Sequence, residues 1–179
     1  MTTTERIWDL PVRLIHGLFI ACFAGAWLTA ETERFRLLHV GLGLAMAGLA
    51  LFRVVWGFAG TRHARFADFV RGPRAVAGYL RSLLEGRPQH HAGHNPAGGW
   101  AILGLLALMA VTTATGWATY SDWGGEWLAE GHELAATAVL VGVHVAGVVV
   151  SSVLHHENLL RPMFGNGRKP APAHPGEPD

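Results

Sequence analysis

Four histidines, His16, His39, His132 and His144, stand inside long apolar stretches of the chain. An ionisable side chain within a bilayer is expensive and marks a functional site. His132 and His144 are twelve residues apart in one stretch. On a helix they are separated by about 18 Å in depth and about 120° in azimuth. They cannot bind one iron, yet they can face two different neighbouring helices. His39 lies near the outer start of the second stretch, level with His132. His16 lies roughly 21 Å below the outer end of the first stretch, close to the depth of His144. The spacing therefore predicts an outer pair, His39 with His132, and an inner pair, His16 with His144.

Two layers of facing imidazoles are what two haem irons need as axial ligands. Two neutral imidazoles fill both axial positions, leave no open site for oxygen and suit one-electron transfer. Gly17, Gly41, Gly43, Gly48, Gly142 and Gly147 offer room for a flat macrocycle, and close helix packing is the competing reading of each. A hydrogen bond to a neighbouring helix competes for each histidine taken singly. Four of them in two matched layers favour ligation. A transition-metal path would want carboxylates or sulfur along its route, and the apolar interiors offer almost none. Arg13 and Arg53, near the inner boundary, have two readings, as partners of haem propionates or as side chains snorkelling to the interface. His63, His90, His91, His94 and His174 read as solvated. His155 and His156, at the inner end of the fourth stretch, read as interfacial or as assisting a proton or quinone.

These side chains need a membrane scaffold. Half of the 179 residues are apolar and only 15% are charged, outside the usual soluble composition. Apolar runs at about 12–30, 37–59, 97–119 and 132–154 each reach the roughly 20 residues of a spanning helix. Helix is the form that satisfies its own backbone in lipid. A soluble bundle would leave too little polar surface to cover four such runs. The expected fold is all-α, a four-helix transmembrane bundle. Residues 1–165 form the haem domain and residues 166–179 a disordered tail rich in proline.

Twelve of the fourteen Lys and Arg residues lie at the N-terminus, in or beside the 60–96 connection, or at the C-terminus. Only Arg34 and Arg36 lie in the other two loops. By the positive-inside rule both termini and the long connection are cytoplasmic. The opposite face carries Glu31, Glu33, Asp122, Glu126 and Glu130, so five carboxylates against two arginines leave a net charge of −3. Within the connection, Val76, Tyr79, Leu80, Leu83 and Leu84 recur at helical spacing between Pro73 and Gly86. That pattern predicts a short amphipathic helix over 72–86, lying on the membrane surface as an anchor or a docking element.

Cys22 is the lone cysteine, which rules out an intramolecular disulfide, a cysteine-ligated cluster and covalent haem attachment through Cys-x-x-Cys-His. The first thirteen residues lack the apolar core and cleavage site of a signal peptide, so the first apolar run is expected to be retained.

Six segments resemble the bacterial cytochrome b561 group, which includes the cytochrome b subunits of nickel–iron hydrogenases. They are WDLPVRLIH (8–16), LLHVGLGLAMAGLALFRVVWG (37–57), GTRHARFADFVRGPRAV (60–76), GHNPAG (93–98), HELAATAVLVGVHVAG (132–147) and LHHENL (154–159). The resemblance implies a four-helix bundle in the bacterial inner membrane carrying two noncovalent b haems, with His16, His39, His132 and His144 as axial ligands. Its usual lipid-phase partner is a quinone, ubiquinone or menaquinone. Hydrogenase cytochromes carry an additional span that four runs do not supply, which places the chain nearer the stand-alone branch.

The expected activity is quinone-linked transfer of single electrons to or from an external redox protein. The acidic outer face favours a cationic partner such as a c-type cytochrome over a small anion. Superoxide oxidation, a cytochrome b anchor within a larger oxidoreductase and a haem-free scaffold are the alternatives. Nothing in the charge pattern suggests nucleic acid.

Overall fold

The computed structural model describes residues 4–6, 8–85, 95–134, 141–142, 144–154, 163–165 and 168–170. Three helices among them are long and apolar enough to cross a membrane. Helix α1 spans Leu10–Thr29, α2 spans Arg36–Ala59, and α5 spans Pro96–Tyr120. All three lie within two residues of the runs read from the sequence. Their ends follow from local chemistry. Asp9 caps α1 by accepting a hydrogen bond from the Val12 amide at 3.0 Å, and Asn95 caps α5 through the Gly98 amide at 2.7 Å. Pro11 and Pro96 occupy first-turn positions, where a missing N–H costs nothing.

Between α2 and α5 the chain forms a short 3-10 turn, the brief helix α3 (Phe66–Phe69) and the surface helix α4 (Pro73–Leu84). Helix α4 matches the expected amphipathic segment, but its buried side is narrower than the apolar stripe. Tyr79 and Ser82 are buried on the side that meets α5, whereas Leu80 and Leu84 remain exposed. An exposed leucine pair beside membrane-length helices suits the apolar side of an interface.

The expected fourth span, 132–154, is described in two pieces. Helix α6 (Glu126–Leu134) carries His132, and α7 (His144–Leu154) begins at His144. Residues 135–140 and 143 lie outside the described residues. The described chain is helical apart from one antiparallel ladder that pairs β1 (Thr4–Arg6) with β2 (Arg168–Pro170). This ladder sets residues 4–6 beside residues 168–170. The remainder of the 166–179 tail lies outside the described residues.

Packing is led by α1 against α2 and α2 against α5. Ala26, Met46, Ala50 and Met109 form the buried centre, with Phe23, Cys22 and Leu42 packed around it. Small and flexible side chains there let the helices approach closely, as they do in bilayers. Large apolar side chains such as Leu28, Leu51 and Phe58 point outward. In water they would make a costly surface, whereas lipid tails solvate them. Hydroxyls in α5 are satisfied within the helix: Thr113 donates to the Met109 carbonyl at 2.9 Å and Thr119 to the Thr115 carbonyl at 3.0 Å. Thr112 is the exception, buried with its hydroxyl unpartnered.

Candidate haem sites

The four histidines come together as two pairs. The rings of His39 (α2) and His132 (α6) have centroids 6.1 Å apart with planes at 82°. Those of His16 (α1) and His144 (α7) are also 6.1 Å apart, at 63°. A metal–imidazole bond is about 2 Å long, so two rings coordinating one metal from opposite sides have centroids roughly 6 Å apart. Both pairs meet that spacing.

The outer pair is held by a second set of contacts. His39 Nδ1 lies 2.8 Å from the Ala26 carbonyl oxygen, and His132 Nδ1 lies 2.9 Å from the Thr112 carbonyl oxygen. A carbonyl oxygen only accepts, so each Nδ1 carries the proton. In the neutral ring each Nε2 then keeps its lone pair for a metal. The main chains of α1 and α5, neither of which contributes an outer histidine, thus set the tautomer of both outer rings.

A cavity of about 540 Å³ opens between these rings, within the range of cofactor pockets. Met46, Met109, Thr112, Gly43 and Gly116 line its walls, and Arg36, Glu31, Glu33 and Glu133 also border it. The donor set and the space fit a haem. Gly116 was not singled out by sequence. A Cβ placed there would stand 2.7 Å from His132 Cε1, so only a glycine leaves the ring its place. The visible signal was a glycine among the threonines of a span without histidine. Gly17, Gly41, Gly43, Gly48, Gly142 and Gly147 have nothing within 4 Å of a notional Cβ. They border open space.

Arg13 and Arg53, expected near the inner boundary, do not border this cavity. Arg13 turns its guanidinium onto the chain, donating from Nε to the Met163 carbonyl at 3.0 Å and from a terminal nitrogen to the Gly165 carbonyl. Between those residues Phe164 brings its ring centroid to 6.4 Å from that of His16. The segment after the fourth run therefore lies beside the inner pair. Arg53 is buried, which departs from a side chain snorkelling to water. Its guanidinium sits over Phe66 at 5.2 Å and Phe69 at 5.9 Å, with one terminal nitrogen unpartnered. His63, expected to be solvated, instead pairs with Asp68 at 2.9 Å. His90, His91, His94, His155, His156 and His174 lie outside the described residues.

A second apolar groove of about 690 Å³ runs between α2, α3 and α5, bordered by Val54, Phe58, Phe66 and Leu106 among others. Among the described residues, no titratable side chain lines it.

Three apolar membrane-length helices, with imidazoles from α1 and α2 each meeting one from α6 or α7, define the architecture of a membrane helical protein. The chain belongs to the prokaryotic cytochrome b561 family, whose profile matches residues 7–166. It is therefore a membrane protein of the b-type cytochrome class, whose cofactor is haem b. It is 27% identical over 146 residues to the probable Ni/Fe-hydrogenase 1 B-type cytochrome subunit of Escherichia coli K12, covering 66% of this chain and 61% of that subunit. It is 25% identical over 213 residues to the probable Ni/Fe-hydrogenase B-type cytochrome subunit of Bradyrhizobium diazoefficiens, covering 93% of this chain and 86% of that subunit. The chain thus spans about three-fifths of the Escherichia coli subunit's length. No solved structure matches it.

Proposed function

We propose that the chain is a dihaem cytochrome moving single electrons between the membrane quinone pool and a cationic redox protein, of the c-type cytochrome kind, at its acidic outer face. The observation that carries this reading is the pair of 6.1 Å imidazole spacings at two levels. His39 and His132 would hold the outer haem iron, and His16 and His144 the inner one. The haems supply reversible one-electron chemistry, while the protein supplies position, tuning and exclusion of competing reactions. Carbonyls orient both outer rings with Nδ1 as the donor, so Nε2 of each is the atom that would meet the iron. The fourth run completes a four-helix bundle with both termini cytoplasmic, in line with the lysine and arginine distribution. Two layers then divide the bilayer crossing into shorter electron steps.

Counting haem is the direct test. Pyridine haemochrome analysis of the purified protein is expected to give two b haems per chain, with a reduced-minus-oxidised spectrum of two components. One haem, or none, would end the dihaem reading.

A second reading is favoured by the relatives' names, in which the chain serves as the cytochrome b subunit of a larger oxidoreductase. The purified chain in vesicles decides between them. Reduction of an added basic c-type cytochrome by a short-chain quinol supports independent function, whereas activity that requires a peripheral enzyme supports the subunit reading.

A further inference from the structure

We propose that Arg36 is the cationic anchor of the outer haem, its guanidinium holding the propionate carboxylates at the mouth of the cavity between His39 and His132. This rests on the dihaem reading above and assigns a residue that reading does not use.

Arg36 and His39 are three residues apart on α2, so they share a face about one turn apart, with Arg36 toward the outer end. Both border the same cavity. Among the described residues lining it, Arg36 is the one lysine or arginine, against Glu31, Glu33 and Glu133. With three carboxylates nearby, its guanidinium nevertheless makes no ion pair or hydrogen bond to a described residue. It rests over the Tyr120 ring at 5.2 Å, and Tyr120 packs against Trp117 at 5.8 Å. The aromatic support holds the side chain at the α5 end of the cavity while leaving the planar donor fork uncommitted.

A haem brings two carboxylates into a partly apolar cavity already bordered by glutamates. Without a cation their desolvation and mutual repulsion oppose binding. An arginine fork matches carboxylate geometry with two parallel hydrogen bonds. Among the described residues, the other arginines do not border this cavity. Arg34 sits over Phe35 at 5.7 Å and does not border it. Arg13 is committed to the chain near residue 165. Arg53 lies at the opposite end of α2, about 26 Å along the helix from Arg36. Arg36 therefore decides which way the outer haem's polar edge points, namely toward the outer face.

Redox titration of the haem-loaded protein tests this with Arg36→Gln, Arg36→Lys and Arg34→Gln beside the unsubstituted chain. A cation near a haem favours its reduced form. Arg36→Gln is expected to lower the midpoint potential of one haem component, leave the other in place, and make the shifted component more pH-dependent as its unpaired propionates take up protons. Arg36→Lys is expected to keep the potential near its original value but to release one haem several-fold faster to apomyoglobin, because the charge remains and the fork is lost. Arg34→Gln is expected to move neither component.

The proposal is overturned if Arg36→Gln leaves both potentials and their pH dependence unchanged, if both components shift equally, or if Arg34→Gln moves the same component as far. Should Arg36→Gln fail to fold, the release rate from Arg36→Lys decides alone, and an unchanged rate overturns it. A two-haem protein that fails these tests removes the role of Arg36 and leaves the dihaem reading standing. Fewer than two haems in the unsubstituted chain removes both.

Discussion

The His132 imidazole lies against Gly116, so closely that a Cβ on residue 116 would come within 2.7 Å of His132 Cε1 and 3.2 Å of its Nδ1. One turn earlier on α5, the Thr112 carbonyl accepts from the same Nδ1 at 2.9 Å. A helix without a histidine therefore shapes the outer site twice, with a notch and with an acceptor.

Gly116→Ala is expected to displace His132 and weaken retention of one haem. Overpacking of this kind costs about 1–3 kcal/mol. Gly104 on the same helix faces open space, so Gly104→Ala should keep the full haem complement. The haem-to-protein ratio of the two variants checks this. Equal ratios would mean that the notch does not constrain the ligand.

Selective haem loss tests the pairing. His39→Ala is expected to remove one spectral component and His144→Ala the other, because the two residues belong to different pairs. Difference spectra of both folded variants provide the measurement. Loss of the same component in each would contradict two separate layers.

Asp9 ties the start of α1 to the end of α2. Beyond its cap on α1, its other carboxylate oxygen accepts from Trp56 Nε1 at 2.9 Å and from the Thr61 hydroxyl at 2.7 Å. Asp9→Ala should cost more than the ~1 kcal/mol of a helix cap, because partly buried donors also lose their acceptor. Asp9→Asn, which keeps a capping oxygen, should fall between. Thermal unfolding in one detergent is expected to rank native above Asp9→Asn above Asp9→Ala.

Charge at the proposed outer face should appear in kinetics. Glu31, Glu33, Asp122, Glu126 and Glu130 outnumber Arg34 and Arg36 there. Electron exchange with a basic c-type cytochrome is expected to slow as salt rises, since screening shortens the reach of attraction to about 10 Å at 0.1 M. Acceleration by salt would reverse the assigned partner charge.

The sequence by itself determined the elements whose causes are local. Bilayer thickness demands long apolar runs, so α1, α2 and α5 were legible to within two residues. Spacing also matched His39 with His132 and His16 with His144, the pairs whose rings approach in the structure; their part as haem ligands is the proposal above. Tertiary structure alone decided which side chains meet across helices. Gly116 is one glycine among 23 until His132 stands beside it. Arg13 and Arg36 are both arginines near a predicted interface, yet Arg13 is committed to carbonyls 150 and 152 residues away, while Arg36 borders the outer cavity. Depth along a helix is a one-dimensional quantity carried by residue order. The identity of a neighbour depends on how separate helices pack, and residue order does not specify it.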